Sequence, residues 1–360
     1  MNDKIKDIAV TIVFTLTLGV LFVINIAKKD TEISISERRK LATAPELTTK
    51  SLFDGTYFEK FDSYVTDQFI ARDTFRKVKV EIELAAKKEY NNLYTYNDYI
   101  IEEIFPLNES SVNNLTNRIN YIKNTYLANN KNIYYTVVPD KNYFIDNGNL
   151  KLDYSRLQNI MQDNLLDIKY INIFDKLSLE DYYKTDTHWR QENLLKIATT
   201  LADQMNFEVS SINKETVVTS FEGSYAGRLP VTNTHDTIKV LTNNDITTSS
   251  VYNYETKKYT DIYDYTKINS LDKYDIYLSG AVPIIDIINN NSKSDKELIV
   301  FRDSYGSSLV PLLISGYKKI TVIDTRYVSS KILNQFVKFD DQDVLFMYSI
   351  LTTNDSFSIR

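Results

Sequence analysis

With 43% hydrophobic and 12% aromatic side chains, this chain of 360 residues has ample apolar surface to offset the entropy of ordering, which argues against disorder over most of its length. The formal charge of -6, with no basic patch along the sequence, argues against general nucleic-acid binding, whose affinity comes from counterion release at a basic face. There is no cysteine, which excludes disulfides, thiolate nucleophiles and Cys-ligated zinc or iron–sulfur sites.

Residues 1–7 form a short tail. The next twenty, 8–27 (IAVTIVFTLTLGVLFVINIA), lack any charge and lie between Lys4, Lys6 and Asp7 on one side and Lys28, Lys29 and Asp30 on the other. As a helix they span about 30 Å, the thickness of a bilayer's hydrocarbon core. The run is longer than a typical signal-peptide core and no small-x-small cleavage pattern follows it, so the sequence predicts an uncleaved transmembrane signal anchor. A buried core helix is the alternative, and the flanking charges speak against it. The lysines on both sides say little about orientation. The short tail favours a cytoplasmic N-terminus, with the bulk of the protein outside the cytoplasm. Residues 28–50 read as a polar stem, and 51–360 as one large α/β domain.

Within residues 51–88, Phe58, Phe61, Tyr64, Val65 and Phe69 follow helical spacing, which predicts a helix packing that face on a core. The run NIYYTVVPD (132–140) has the content of a buried strand closed by Pro139. Helical residues follow near 153–167, then a short strand YINIF (170–174), then the loop YYKTDTHWR (182–190), with a helix over 190–206. Residues 211–270, rich in Thr, Asn and Tyr, read as an irregular insertion or small β subregion. Strands are expected at DIYLSG (275–280), ELIVF (297–301), KITVID (319–324) and DVLFMYS (343–349), with helices near 307–316 and 329–337. Alternating strands and helices imply right-handed crossovers and a parallel sheet.

In an open parallel sheet the reacting groups sit beyond the carboxyl ends of the strands. FRDSYG (301–306) meets that rule, since Ser304 lies in a turn between a strand and a helix, near main-chain N–H groups able to hold a developing oxyanion. An ordinary helix N-cap is the competing reading of this serine. A serine hydroxyl needs a base, and the base an orienting carboxylate. His188 and Asp186 offer both within one loop, although a partly buried structural histidine beside Trp189 is also consistent with that stretch. His235, the second histidine, reads as a loop residue.

TDTHW followed by FRDSYG resembles the DHHW-type and alginate O-acetyltransferase-like branch of the SGNH hydrolase superfamily, in which an Asp-x-His pair precedes the serine. The resemblance extends to SERRKLATAPEL (36–47), YFEKFDSYVTDQFIARDTFR (57–76), VVPDK (137–141), FEGSYAGR (221–228) and DTRY (324–327), nearly all of the chain beyond the anchor. It implies a flavodoxin-like three-layer α/β/α sandwich with a parallel sheet, and a catalytic domain over 51–360. It also implies Ser304 as nucleophile, His188 as general base and acid, and Asp186 as its orienter. The second position of the family's Asp-His-His-Trp string is Thr187 here. No glycine-asparagine oxyanion block is evident, because YLSGAVPI (277–284) has Ala281 where a side-chain donor is expected. Oxyanion stabilisation or substrate positioning then falls to main-chain N–H groups near Ser304 and to Arg302, Tyr305, Trp189 and Arg326.

These expectations add up to a membrane-anchored, extracytoplasmic serine O-acyltransferase of a bacterial cell membrane, passing acetyl groups to cell-surface or secreted polysaccharide. No cofactor or metal is needed, and a membrane-bound O-acyltransferase is the implied partner. Two readings compete: a carbohydrate acetylesterase using the same acyl-serine, and a non-catalytic surface protein binding glycan or a partner through its 27 Tyr and 17 Phe. Metal hydrolysis through Asp186 and His188 is the weakest reading, since only two histidines exist and a metal would lean almost wholly on carboxylates.

Overall fold

The computed structural model describes residues 3–34, 36–86, 89–230 and 234–360. By its internal packing the chain divides into two compact units, one of Met1–Asn91 with Ala226–Thr232, the other of Asn92–Tyr225 with Asn233–Arg360.

The first unit begins with the helix Asp3–Ala27, which is exposed along its length and by length and composition can cross a membrane. Near its end the Asn25 amide donates to the Leu21 carbonyl and accepts from the Ile70 N–H, each at 2.8 Å. Strands β1 (Ile33–Ser34) and β2 (Arg39–Lys40) pair antiparallel. Three helices follow, Thr49–Phe53, Thr56–Asp67 and Arg72–Ala85. The expectation of one aromatic face on a core is corrected, since the stretch is broken by the left-handed Ala71 (φ 55°) and Phe58, Phe61 and Val65 are exposed. The side packed on the unit is instead that of the buried Val80, Tyr64, bonded to Asp30, and Asp67, bonded twice to Arg39.

The second unit opens with a hairpin of β3 (Leu93–Tyr96) and β4 (Tyr99–Glu102). Its centre is an eight-stranded sheet of β5 (Ile133–Val138), β6 (Lys169–Tyr170), β9 (Ser250–Asn253), β10 (Lys258–Thr260), β11 (Ile284–Ile288), β12 (Glu297–Arg302), β13 (Lys319–Ile323) and β14 (Asp343–Ser349). The order is β10-β9-β11-β13-β12-β14-β5-β6. Strands β13, β12, β14, β5 and β6 run parallel, as expected. The purely parallel sheet is corrected at the other side, where β11, β9 and β10 add on antiparallel. The intervening β7 (Lys214–Phe221) and β8 (Asp236–Thr242) form a separate bulged hairpin within the stretch read as irregular.

Two expected strands are also corrected. DIYLSG is a 3-10 turn followed by three left-handed residues, Leu278, Ser279 and Gly280, and the neighbouring strand is IIDII of β11. In YINIF only Tyr170 pairs, because the Asn172 side chain accepts the Phe174 N–H at 3.0 Å and turns the chain. The helix expected over 153–167 is Tyr154–Asn164, that over 190–206 is Leu195–Met205 behind a 3-10 turn, and those near 307–316 and 329–337 are mostly 3-10.

Alternation along the central strands sends side chains to opposite faces of the sheet. Leu298 and Val300 of β12, Leu345 and Met347 of β14 and Ile320 and Val322 of β13 join one core with Ile197, Leu201 and Met205 of the helix Leu195–Met205. Ile299, Phe301, Val344 and Phe346 join the other, with Leu115, Ile119 and Ile122 of the helix Glu109–Tyr126 and Leu157 of Tyr154–Asn164. Helices therefore cover both faces of a mixed α/β sheet, and the loops at the carboxyl ends of β5, β12, β13 and β14 share one edge.

Candidate active site

Ser304 sits two residues beyond the end of β12, in a turn held by its neighbour Asp303. That carboxylate accepts the Tyr305 N–H at 3.1 Å and, from the end of β14, both the N–H and the hydroxyl of Ser349 at 2.7 Å. The next residue is Gly306, where a Cβ would stand 2.8 Å from the Arg302 Cβ and 2.9 Å from the Met347 Cε. The helical turn thus closes directly on the strand below, and Ser304, only partly buried, faces outward at the sheet's edge.

The structure brings Ser304, His188 and Asp186 into one hydrogen-bonded series. His188 Nε2 lies 2.8 Å from Ser304 Oγ, and His188 Nδ1 lies 2.6 Å from Asp186 Oδ1. Donation from Nδ1 to the carboxylate leaves the Nε2 lone pair facing the serine hydroxyl. Asp186 also accepts the His188 N–H at 3.0 Å and, on its other oxygen, the Ser224 N–H at 2.7 Å. Burial opposes its charge, but His188 and these hydrogen bonds outweigh burial and hold the carboxyl well below the usual carboxylate range.

Several groups hold the loop bearing Asp186 and His188. Asp236 accepts the Lys184 N–H at 2.9 Å, the Thr185 N–H at 2.7 Å and the Thr185 hydroxyl at 2.5 Å. Gly223 passes so close that a Cβ there would come 2.3 Å from the Asp186 Cβ and 2.4 Å from the Thr185 carbonyl oxygen. Buried Lys141, in the loop after β5, donates to the carbonyls of Ile100, of Tyr183 at 3.1 Å and of Asp186 at 2.8 Å, and its Nζ lies 4.7 Å from the Tyr225 ring centre. Burial pushes its ammonium down to about 7, against the pull of Asp186 and Asp236. The His188 ring stacks on Tyr274, with centroids 3.8 Å apart and planes 7° from parallel.

The residues expected to contact substrate lie deeper than the sequence suggested. Trp189 is fully buried and donates its indole N–H to the Tyr305 carbonyl at 3.0 Å. Tyr305 is buried too, and its hydroxyl donates to the Thr187 carbonyl at 2.7 Å. Arg302 is fully buried, donating to the Gly280 carbonyl at 3.0 Å and lying 3.6 Å from Asp324. Each of these three braces the framework around the Ser304 turn. Arg326 keeps some exposure and is clamped on Asp324 by bonds of 2.9 and 2.7 Å. The N–H groups of Tyr305, Gly306 and Ser307 are already engaged, by the Asp303 carboxylate, the Asp303 carbonyl and the Ser304 carbonyl. Thr187 joins a hydroxyl cluster, with Tyr305 OH at 3.1 Å and Tyr225 OH at 3.0 Å. His235 is exposed, 3.4 Å from Glu222.

Sequence reasoning did not single out Lys141, Gly223, Ser224, Asp236 or Tyr274. Lys141 lies in VVPDK and Gly223 and Ser224 in FEGSYAGR, both stretches noted for resemblance without a role for these residues. Nothing local marks Tyr274 among 27 tyrosines.

A mixed α/β sheet with a serine, a histidine and an aspartate in series beyond its carboxyl edge is the class of protein that fold and geometry define. The family model described as DHHW protein matches residues 161–323, in keeping with the resemblance read from the sequence. A DHHW family protein from Eubacterium siraeum DSM 15702 superposes with a TM-score of 0.60 at 18% identity, over 75% of this chain and 95% of that one. Bacillus cereus PatB1 gives 0.56 at 18% identity over 72% and 96%, and its structure with a sulfonyl adduct gives 0.55 at 18% over 72% and 97%. These likenesses establish a shared fold. No curated protein matches the sequence.

Proposed function

We propose that this protein is a membrane-anchored, extracytoplasmic serine O-acyltransferase that passes an acyl group, acetyl in the first instance, to hydroxyls of cell-surface or secreted polysaccharide. The observation that carries the proposal is the 2.8 Å approach of His188 Nε2 to Ser304 Oγ, with Asp186 bound to the opposite ring nitrogen. Ser304 Oγ attacks the donor carbonyl while His188 takes its proton. The tetrahedral adduct collapses to acyl-Ser304 as His188 returns that proton to the departing group, and an acceptor hydroxyl, deprotonated by His188, then removes the acyl group and regenerates the serine. Buried, ionised Asp186 orients the imidazole and stabilises its protonated form. The apolar helix Asp3–Ala27 supports anchoring, and a membrane-bound O-acyltransferase is the partner that would supply acyl groups across the bilayer.

The test is turnover of an acetylated sugar ester by wild type and by Ser304→Ala, with a sulfonyl fluoride probe as a second readout, since sulfonylation reports a nucleophilic hydroxyl directly. We expect at least a 10³-fold loss of turnover and no labelling in the variant, with an unchanged circular dichroism spectrum. Equal turnover by the variant would refute the assignment. Acetate release without acceptor modification would assign hydrolysis in place of transfer.

A further inference from the structure

The helices Thr56–Asp67 and Arg72–Ala85 each carry an apolar stripe that faces away from the unit they belong to. Phe58, Phe61 and Val65 on one, and Phe75, Val78 and Ile82 on the other, repeat at i, i+3 and i+7, which lines each trio along one side of its helix over about 10 Å. All six are between 43% and 64% exposed, while Val80 points inward and is buried completely. Exposed apolar stripes of this kind mark surfaces that meet something other than water.

What they meet is indicated by where the two helices join. The turn joining them, residues 68–71, is seated on the end of the 25-residue apolar helix. Ile70 donates its N–H to the Asn25 side chain at 2.8 Å, and the Gln68 side chain accepts the Thr31 N–H at 2.9 Å and the Lys28 ammonium at 3.4 Å. Asn25 is two residues, about 3 Å of rise, from the helix end at Ala27. One end of each stripe, Val65 in the first helix and Phe75 in the second, therefore lies near the level where an inserted Asp3–Ala27 helix would leave the hydrocarbon. The same helices expose Lys60, Lys77 and Lys79 together with Glu59, Asp62, Asp73 and Glu81, a mixed polar surface beside the apolar stripes.

We propose that these two helices lie in the plane of the bilayer interface, with the six apolar side chains inserted at the boundary between headgroups and acyl chains. The inference rests on the membrane-spanning reading of Asp3–Ala27. It makes the first unit a collar that adheres to the lipid surface around the anchor.

The chain has no cysteine, so single nitroxide labels can be placed without background. The full-length variants Phe58→Cys, Phe75→Cys, Glu59→Cys and Phe14→Cys are labelled and reconstituted into phosphatidylcholine–phosphatidylglycerol vesicles, and collisions with oxygen and with a water-soluble nickel chelate are compared. The expected result is an oxygen-to-nickel accessibility ratio severalfold higher at positions 58 and 75 than at 59, and highest at 14. Two stripe positions on separate helices keep the outcome from depending on one variant's folding. Aqueous behaviour at 58 and 75 with 14 deep in the bilayer overturns the collar and leaves the anchor standing. Exclusion of both reagents at 58 and 75 overturns it in favour of a protein neighbour, a second copy included. Aqueous behaviour at 14 overturns anchor and collar together, and none of these outcomes bears on the assignment of Ser304.

Discussion

The imidazole of His188 lies flat against the phenol of Tyr274, ring centres 3.8 Å apart, and the Tyr274 hydroxyl is itself bound to Ser308 Oγ at 2.8 Å. Asp186 fixes one ring nitrogen of the histidine, but a hydrogen bond is a hinge that still permits tilt. The stacked phenol removes that freedom and keeps Nε2 aimed at Ser304.

Replacing Tyr274 should therefore act through the position of His188. Tyr274→Phe keeps the stacking ring and should stay within about threefold of wild-type kcat, whereas Tyr274→Ala should lose on the order of 10²-fold, the scale of a misplacement near 1 Å. KM should change little in either variant, because the phenol aligns His188, the proposed base. Steady-state kinetics on a model ester give the comparison, and wild-type kcat in the alanine variant would count against the positioning argument.

Gly223 predicts a different failure. A methyl group there would overlap the Asp186 Cβ and the Thr185 carbonyl, so the loop carrying the carboxylate would have to move. Gly223→Ala should destabilise the protein by about 1–3 kcal/mol, the usual cost of overpacking, and should also lower kcat at least about tenfold by displacing Asp186 from His188. Thermal unfolding and ester turnover measured on the same preparation check both effects. A variant that loses neither would mean that the loop relaxes freely.

Asp140, in the loop after β5, gives a pH prediction. Burial pushes its carboxyl up to about 6, despite hydrogen bonds from the Tyr154 hydroxyl and the Asn142 N–H. In the unfolded chain the group titrates near 3.9. Between those values the native state holds a proton that the unfolded state has released, so this contribution is fully present below about pH 4 and is lost as pH rises through about 6. The loss amounts to on the order of 3 kcal/mol. Urea unfolding of wild type and Asp140→Asn at pH 4 and pH 7 isolates it: the wild type should lose more stability than the variant over that interval, and parallel behaviour would show that Asp140 does not titrate there.

Much of the central sheet was legible because its strands identify themselves. NIYYTVVPD, ELIVF, KITVID and DVLFMYS are short apolar runs bounded by turn residues, and each became a strand buried on both faces. DIYLSG has the same character and failed. Its conformation follows from contacts outside the segment, the Leu278 N–H to the Ile262 carbonyl at 3.1 Å and the Ser279 hydroxyl to the Asp264 carboxylate at 3.0 Å. The aromatic stretch from 51 onward was misjudged for a related reason, since helical spacing reveals that a face is apolar and is silent about what covers it. At the site, Ser304, His188 and Asp186 were readable from residue chemistry and from position beside a strand end. The burial of Arg302, Trp189 and Tyr305 was not, because each is turned inward by a partner distant in the chain, Gly280, Tyr305 and Thr187 in turn.

Taken alone, the sequence determined an apolar helix of membrane length, a cysteine-free α/β chain, the strand that presents Ser304 and the loop that holds an aspartate two residues before a histidine. Those are properties of contiguous residues, set by local periodicity, turn chemistry and composition. Only the tertiary structure decided that three strands would join the sheet antiparallel, that Tyr274 would face His188, and that residues 116 positions apart would stand within a hydrogen bond. Such pairings depend on which surfaces meet when the chain closes on itself, and the free energy that selects them comes from burial shared among distant segments.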